Sequence, residues 1–136
     1  LVPRIKGDEV ESVCPYHVSC LEGLASGPAI EHRWGAKADR LSEDARVWET
    51  EATYLAEGIS TYVLCYSPQR IVLGGGVMHQ VQLFPLIRDK VSKILGGYIA
   101  TPEMSDLEHY IVPSGCGGNQ GILGALELGH RALEHV

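Results

Sequence analysis

Ile71-Val72-Leu73-Gly74-Gly75-Gly76-Val77 is the stretch on which the fold turns. Three residues suited to a pleated, half-buried surface run straight into three glycines, whose lack of a Cβ lets a ligand approach the backbone closely. A helical pattern from about Leu83 to Leu95, stopped by Gly96-Gly97, separates this strand from a second one at Tyr110 to Val112. That strand, ending at Val112-Pro113, runs likewise into Gly115-Cys116-Gly117-Gly118, and a further helix follows from about Asn119 to Leu133. The order is βαβα. Two strands joined through a helix lie parallel with a right-handed crossover, so residues 67–136 read as an α/β unit with helices packed on a sheet.

Two glycine-rich turns on the carboxyl edge of neighbouring parallel strands mark the usual crevice for a nucleotide or similar ligand in open α/β sheets. The helix near Asn119 would add its N-terminal amides to that crevice. No Walker A sequence is present, so the turns are not a P-loop. The alternative is that these glycines only make tight βα turns.

Upstream, residues 21–66 read as helices. One is expected from about Leu21 to Trp34, kinked at Gly27-Pro28 and stopped by Gly35. Ser42 is the expected cap of a second, longer helix, with Glu43 and Asp44 against the positive end of its dipole and Ser67-Pro68 at its end. Trp48, Ala52, Leu55, Ile59 and Tyr62 recur at helical spacing and form its expected core stripe, and Trp34 and Tyr66 also read as packing residues. Lys6 to Val13 reads as a charged, mobile stretch, and Val2 to Ile5 as a strand. Leu1 is an unusual first residue, and the expectation is a native segment whose upstream part is missing.

Residues 1–20 carry the most specific chemistry. In Cys14-Pro15-Tyr16-His17-Val18-Ser19-Cys20 two thiols and an imidazole fall three residues apart in a tight loop, which is metal-ligand spacing. Soft sulfur plus nitrogen suits tetrahedral zinc, which takes four ligands in a structural site. A fourth ligand would come from His32, Cys116, an acid such as Asp8, a water, or a residue before Leu1. A structural rather than catalytic metal is expected, the alternative being a chance cluster of surface residues. Glu22, two residues past Cys20, is placed to hydrogen-bond a polar substrate or, as an isolated carboxylate near a helix start, to act as a solvated dipole partner. His32, His79, His109, His130 and His135 are assigned no role.

The 136 residues suffice for one core, and 45% hydrophobic with 21% charged residues is ordinary globular composition. The 11 Lys and Arg against 17 Asp and Glu give a formal charge of -6 with no basic block, which argues against a nucleic-acid partner. No apolar run approaches the length of a transmembrane helix. The four cysteines, Cys14, Cys20, Cys65 and Cys116, without a secretory segment, favour reduced thiols or metal ligands in a cytoplasm, with a Cys65 to Cys116 disulfide left open by spacing.

Cys14 to Glu22, continuing through Gly23-Leu24-Ala25-Ser26-Gly27-Pro28-Ala29-Ile30, then Gly74-Gly75-Gly76-Val77 and Gly121-Ile122-Leu123-Gly124-Ala125, resembles the C-terminal half of a bacterial fructokinase of the ROK family. The wider family carries a C-x-C-G-x-x-G-C type of zinc loop. The Cys-Pro-Tyr-His-x-x-Cys-Leu-Glu-Gly form is characteristic of its fructokinase branch.

The resemblance implies the C-terminal lobe of an actin-like, ribonuclease H-like sugar kinase that transfers the γ-phosphoryl group of MgATP to the 6-hydroxyl of fructose. Carried over by position, Cys14, His17 and Cys20 would be zinc ligands, the fourth being a histidine just before Leu1. Glu22 would contact sugar hydroxyls. Gly74, Gly75 and Gly76 would lie against the nucleotide with Gly117 nearby, although Gly117-Gly118 departs from the Gly-Asp-Asn of close relatives. The family's phosphate turn and its Asp general base belong to an N-terminal half not found in these residues. Phosphoryl transfer rests on positioning and electrostatics, so this polypeptide alone is expected to be inactive. Dimers are common in the family. The rival readings are a non-catalytic zinc-stabilised binding module and a ROK-type sugar-responsive regulator, the latter needing a helix-turn-helix that nothing in the sequence supplies.

Overall fold

A computed structural model describes residues 1–134. The helices are α1 (Leu21–Leu24), α2 (Gly27–Trp34), α3 (Ala45–Tyr66), α4 (Leu83–Leu95), α5 (Pro102–Ser105), α6 (Leu107–Tyr110) and α7 (Gln120–Glu134), and the strands are β1 (Ile71–Leu73) and β2 (Ile111–Pro113). The strands pair in parallel with Ile71 opposite Ile111 and Leu73 opposite Pro113, and α4 makes the crossover between them. The βαβα order is as the glycine-flanked strands predict. β2 starts one residue later than expected because Tyr110 closes α6.

The core lies where α3 packs along α4 over the strand pair. Trp48, Ala52, Ile59 and Val63 of α3 meet Leu83, Ile87 and Val91 of α4, with Ile111 of β2 fully buried beneath. A smaller cluster of Val2, Leu24 and Tyr54 ties the chain start to α1 and α3. Arg88 of α4 donates to the Ile111 carbonyl through Nε at 3.1 Å and Nη2 at 2.7 Å, and to the Glu108 carbonyl at 3.1 Å. Its guanidinium thereby ties the crossover helix to the entry of β2.

Several local expectations are corrected. The first helix is broken rather than kinked: Ser26 caps α2 by accepting from the Ala29 N–H at 3.3 Å, which separates it from α1. Pro28, in the first turn, costs no hydrogen bond there. α3 is capped by Asp44, whose carboxylate accepts from the Arg46 N–H at 3.1 Å, and not by Ser42. The Trp48 indole explains the shift, since it donates to the carbonyls of Leu41 at 3.0 Å and Ser42 at 3.1 Å and holds those residues outside the helix. Tyr62 and Tyr66 are 50% and 75% exposed, so the stripe continues through Val63 instead. Their rings lie 6.3 Å apart on the outer face.

Val2 to Ile5 forms no strand, because the Val2 N–H bonds to the Ser19 carbonyl at 2.8 Å and Ile5 to the Tyr54 hydroxyl at 3.3 Å, not to a strand edge. Lys6 to Val13 is tied down rather than loose. Asp8 within it pairs with Arg33 at 2.5 Å and accepts a hydrogen bond from Tyr54. The short helices α5 and α6 were not expected. Thr101 caps the first and Asp106 the second, using polar residues that carry no apolar periodicity. Gly35 and Gly96 end α2 and α4 in the left-handed conformation as predicted, at φ 71° and 55°.

Candidate functional site

Parallel pairing brings the two glycine turns side by side. β1 and β2 end in register, and the Ser114 N–H donates to the Leu73 carbonyl at 3.0 Å, extending the ladder one step into the turns. Beyond them opens a cavity of about 310 Å³ whose walls include Gly74, Gly75, Gly117 and Gly118, a size suited to a small ligand. Gly75, Gly117 and Gly118 have φ of 99°, 55° and 89°, a region that L side chains rarely adopt. A Cβ on Gly74 would lie 3.2 Å from Gln120 Nε2, so this glycine is also a matter of space. Gly76 starts a 3₁₀ turn, Gly76–His79, and does not line the cavity.

That turn brings in residues the sequence did not single out. Met78, His79 and Val81 line the cavity together with Gln120, first residue of α7. The Gln120 Oε1 is buried without a hydrogen-bond partner. The sequence assigns His79 no role, and its closeness to Gly76 is the one signal there that points to this cavity.

The second cluster is built by the Cys14 to Cys20 loop. One ligand atom each from Cys14, His17 and Cys20 falls within 4.8 Å of the others, and Cys14 Sγ is 3.5 Å from His17 Nδ1. Bonds of ~2.0–2.3 Å to one tetrahedral ion require sulfur and nitrogen ligands to stand about 3.5 Å apart, so these donors fit zinc in type and spacing. The backbone N–H of Tyr16 and the His17 side chain, aided by Cys20 and the His17 N–H against a smaller effect of burial, pull the Cys14 thiol down to about 7, towards the thiolate a metal needs. Cys20 caps α1 by accepting from the Gly23 N–H at 3.3 Å, which fixes its sulfur at the junction of loop and helix. A Cβ on Gly23 would lie 2.8 Å from Cys14 Cβ, so glycine is required where α1 meets the loop. Among the described residues no fourth ligand joins these three.

Glu22 is exposed in the first turn of α1 and, among the described residues, makes no side-chain hydrogen bond. All four cysteines are free, which decides against a Cys65 to Cys116 disulfide in this structure. His109 is engaged, with Nδ1 2.8 Å from Asp106, and His130 lies 3.7 Å from Glu134. His135 lies outside the described residues.

Residues 4–132 match the ROK family. The chain belongs to the ROK family. A protein of Bacillus subtilis strain 168 is 49% identical to this ROK chain over 134 residues, which are 98% of the chain and 45% of that protein. The fructokinase of Pediococcus pentosaceus is 44% identical over 133 residues, again 98% of the chain and 45% of the relative. Among solved structures the ROK hexokinase from Thermus thermophilus superposes with a TM-score of 0.66 at 25% identity, over 85% of this chain and 42% of that one. The ROK chain thus spans about half the length of the curated relatives it matches, and its fold is that of one α/β lobe of an actin-like sugar kinase.

Proposed function

We propose that this ROK chain is the nucleotide- and metal-bearing part of a fructokinase that transfers the γ-phosphoryl group of MgATP to the 6-hydroxyl of fructose. The observation that carries the reading is the single cavity formed by both glycine turns at the carboxyl end of β1 and β2. Bare backbone there accepts a nucleotide at close range, with Gly74, Gly75 and Gly117 against it and Gly76 outside the cavity wall, at the start of the adjoining 3₁₀ turn. Glu22 is the proposed sugar contact. Cys14, His17 and Cys20 are the proposed ligands of a structural zinc, which when bound would cross-link the loop ahead of α1. The fructokinase name of the Pediococcus relative supports the substrate class.

In this reading residues 1–20 form the metal loop, 21–66 the helical layer and 67–136 the nucleotide part, and a further N-terminal half of the same protein closes the cleft. Ile122, Leu126 and Leu133 of α7 are 67%, 65% and 78% exposed, an apolar helix face of the kind a second lobe covers. The general base that takes the proton from the attacking hydroxyl belongs to that half, and this chain alone has no activity. The same reading makes the protein a cytoplasmic homodimer with no nucleic-acid or membrane partner. No helix among the described residues is long and apolar enough to cross a membrane.

The deciding experiment measures ATP binding and fructose 6-phosphate formation by the full-length protein and by this chain alone. ATP binding with phosphorylation only by the full-length protein is the expected result. A full-length protein that binds neither ATP nor fructose would overturn the reading in favour of a zinc-stabilised binding module.

A further inference from the structure

We infer that Arg4 is a positioning residue of the metal loop, holding the segment that carries Cys14, His17 and Cys20 in its binding shape from a buried anchor on α2 and α3. The inference rests on the zinc reading above and goes beyond it to a residue ten positions before Cys14.

The loop needs outside support. Tyr16 and Val18 are 86% and 80% exposed, so the residues between the ligands bury little apolar surface of their own. The loop lies outside the regular elements, and its shape rests instead on polar contacts. Arg4 Nη1 donates to the carbonyl of Val18, between His17 and Cys20, at 2.9 Å. Arg4 Nε donates to the Asp8 carbonyl at 3.2 Å, and Nη2 to the carbonyl of Val10. One planar guanidinium thus spans three carbonyls from two segments, which the compact ammonium of a lysine does less well.

The far side of this bracket is fixed. The carboxylate of Asp8 receives Arg33 of α2 at 2.5 Å, the Tyr54 hydroxyl of α3, and its neighbour Val10 N–H at 3.1 Å. Asp8 and Arg33 side chains are 8% and 9% exposed. The Arg33 guanidinium also sits 5.6 Å over the Tyr54 ring. From the helical layer the path runs through Asp8 to Arg4 and from Arg4 to Val18. A loop shaped this way before the ion arrives loses less freedom on binding it, and loss of such outer support typically costs ~10–100-fold in metal affinity.

The test is zinc affinity of the full-length protein by chelator competition, beside the melting temperature of the metal-free form, for the wild type, Arg4→Gln and Arg4→Lys. The expected result is a zinc affinity about 10-fold or more weaker for Arg4→Gln, with Arg4→Lys between it and the wild type and metal-free melting little changed. Equal zinc affinities for all three would overturn the role of Arg4 while leaving the metal site standing. A fall in metal-free melting that accounts for the whole loss of affinity would also overturn it, because Arg4 would then act on general stability. A wild type that takes up no zinc would overturn the metal reading itself and this inference with it.

Discussion

Arg33 Nη1 lies 2.5 Å from Asp8 Oδ1 with both side chains less than a tenth exposed, an ion pair that bolts the segment before the Cys14 to Cys20 loop to α2. Burial works to raise the Asp8 carboxyl, but hydrogen bonds from Arg33, Tyr54 and the Val10 N–H, with the Arg33 charge, outweigh it and hold the group below its ordinary value. A depressed carboxylate contributes stability that is present above its unfolded value, near 3.8, and lost as pH falls through the folded one. Asp8→Asn leaves the Arg33 cation buried without its counter-charge. It should cost about 3–5 kcal/mol by denaturant unfolding at pH 7, and the gap between wild type and variant should begin to narrow only below 3.8 and close as pH falls through the lower folded value.

Glu51 behaves in the opposite sense. It is buried on α3 with Oε1 unpartnered, and burial, only partly offset by the Arg33 charge, pushes its carboxyl up to about 8. The folded state therefore binds a proton that the unfolded state releases near 4.5, so stability is highest below that value and falls as pH rises to about 8. Glu51→Gln should remove this slope. Melting curves at pH 5 and pH 9 should differ less for the variant than for the wild type, by a free energy on the order of a few kcal/mol. A wild type whose stability from this region rises with pH would contradict the assignment.

Gly75, at φ 99°, has open space where a Cβ would go. Gly75→Ala therefore acts through the backbone alone, because φ 99° with ψ 173° is a region essentially confined to glycine, where an L-residue costs about 1–3 kcal/mol. As the turn relaxes, the wall of the 310 Å³ cavity moves. Kinetics on the full-length protein should show KM for ATP raised several-fold with KM for fructose unchanged.

On the proposed zinc reading, chelation should act on the Cys14 to Cys20 loop. Stripping zinc from Cys14, His17 and Cys20 should lower the melting temperature by several degrees, because binding energy at such a site is folding energy. Cys14→Ala should melt near the chelated wild type and be indifferent to chelator. An unchanged melting temperature on metal removal would rule out a structural ion.

Much of this was legible because its signals are local. Strands that run into glycines, a helix closed by a left-handed glycine and two thiols and an imidazole three residues apart each express the chemistry of a few adjacent residues. Where two local signals competed, the sequence was ambiguous: Ser42 and Asp44 are both good caps, and only the reach of the Trp48 indole to the Ser42 carbonyl at 3.1 Å selects the second. The buried stripe on α3 ends on Val63 rather than on the expected Tyr62, since the two positions differ in periodicity by less than the width of the buried face.

By itself the sequence determined the βαβα order, the two glycine turns, the metal-binding spacing and the resemblance to the ROK family, all of them carried by neighbours along the chain. Tertiary structure alone decided which distant residues share a site. It set His79 and Gln120 beside the glycine turns, Arg33 and Tyr54 against Asp8 from 25 and 46 positions away, and Arg4 across to Val18 from 14 positions away. The physical reason is that such pairs are selected by how α2 and α3 pack over the chain start and by the register of β1 on β2, and packing and register are properties of the folded chain that no local pattern encodes.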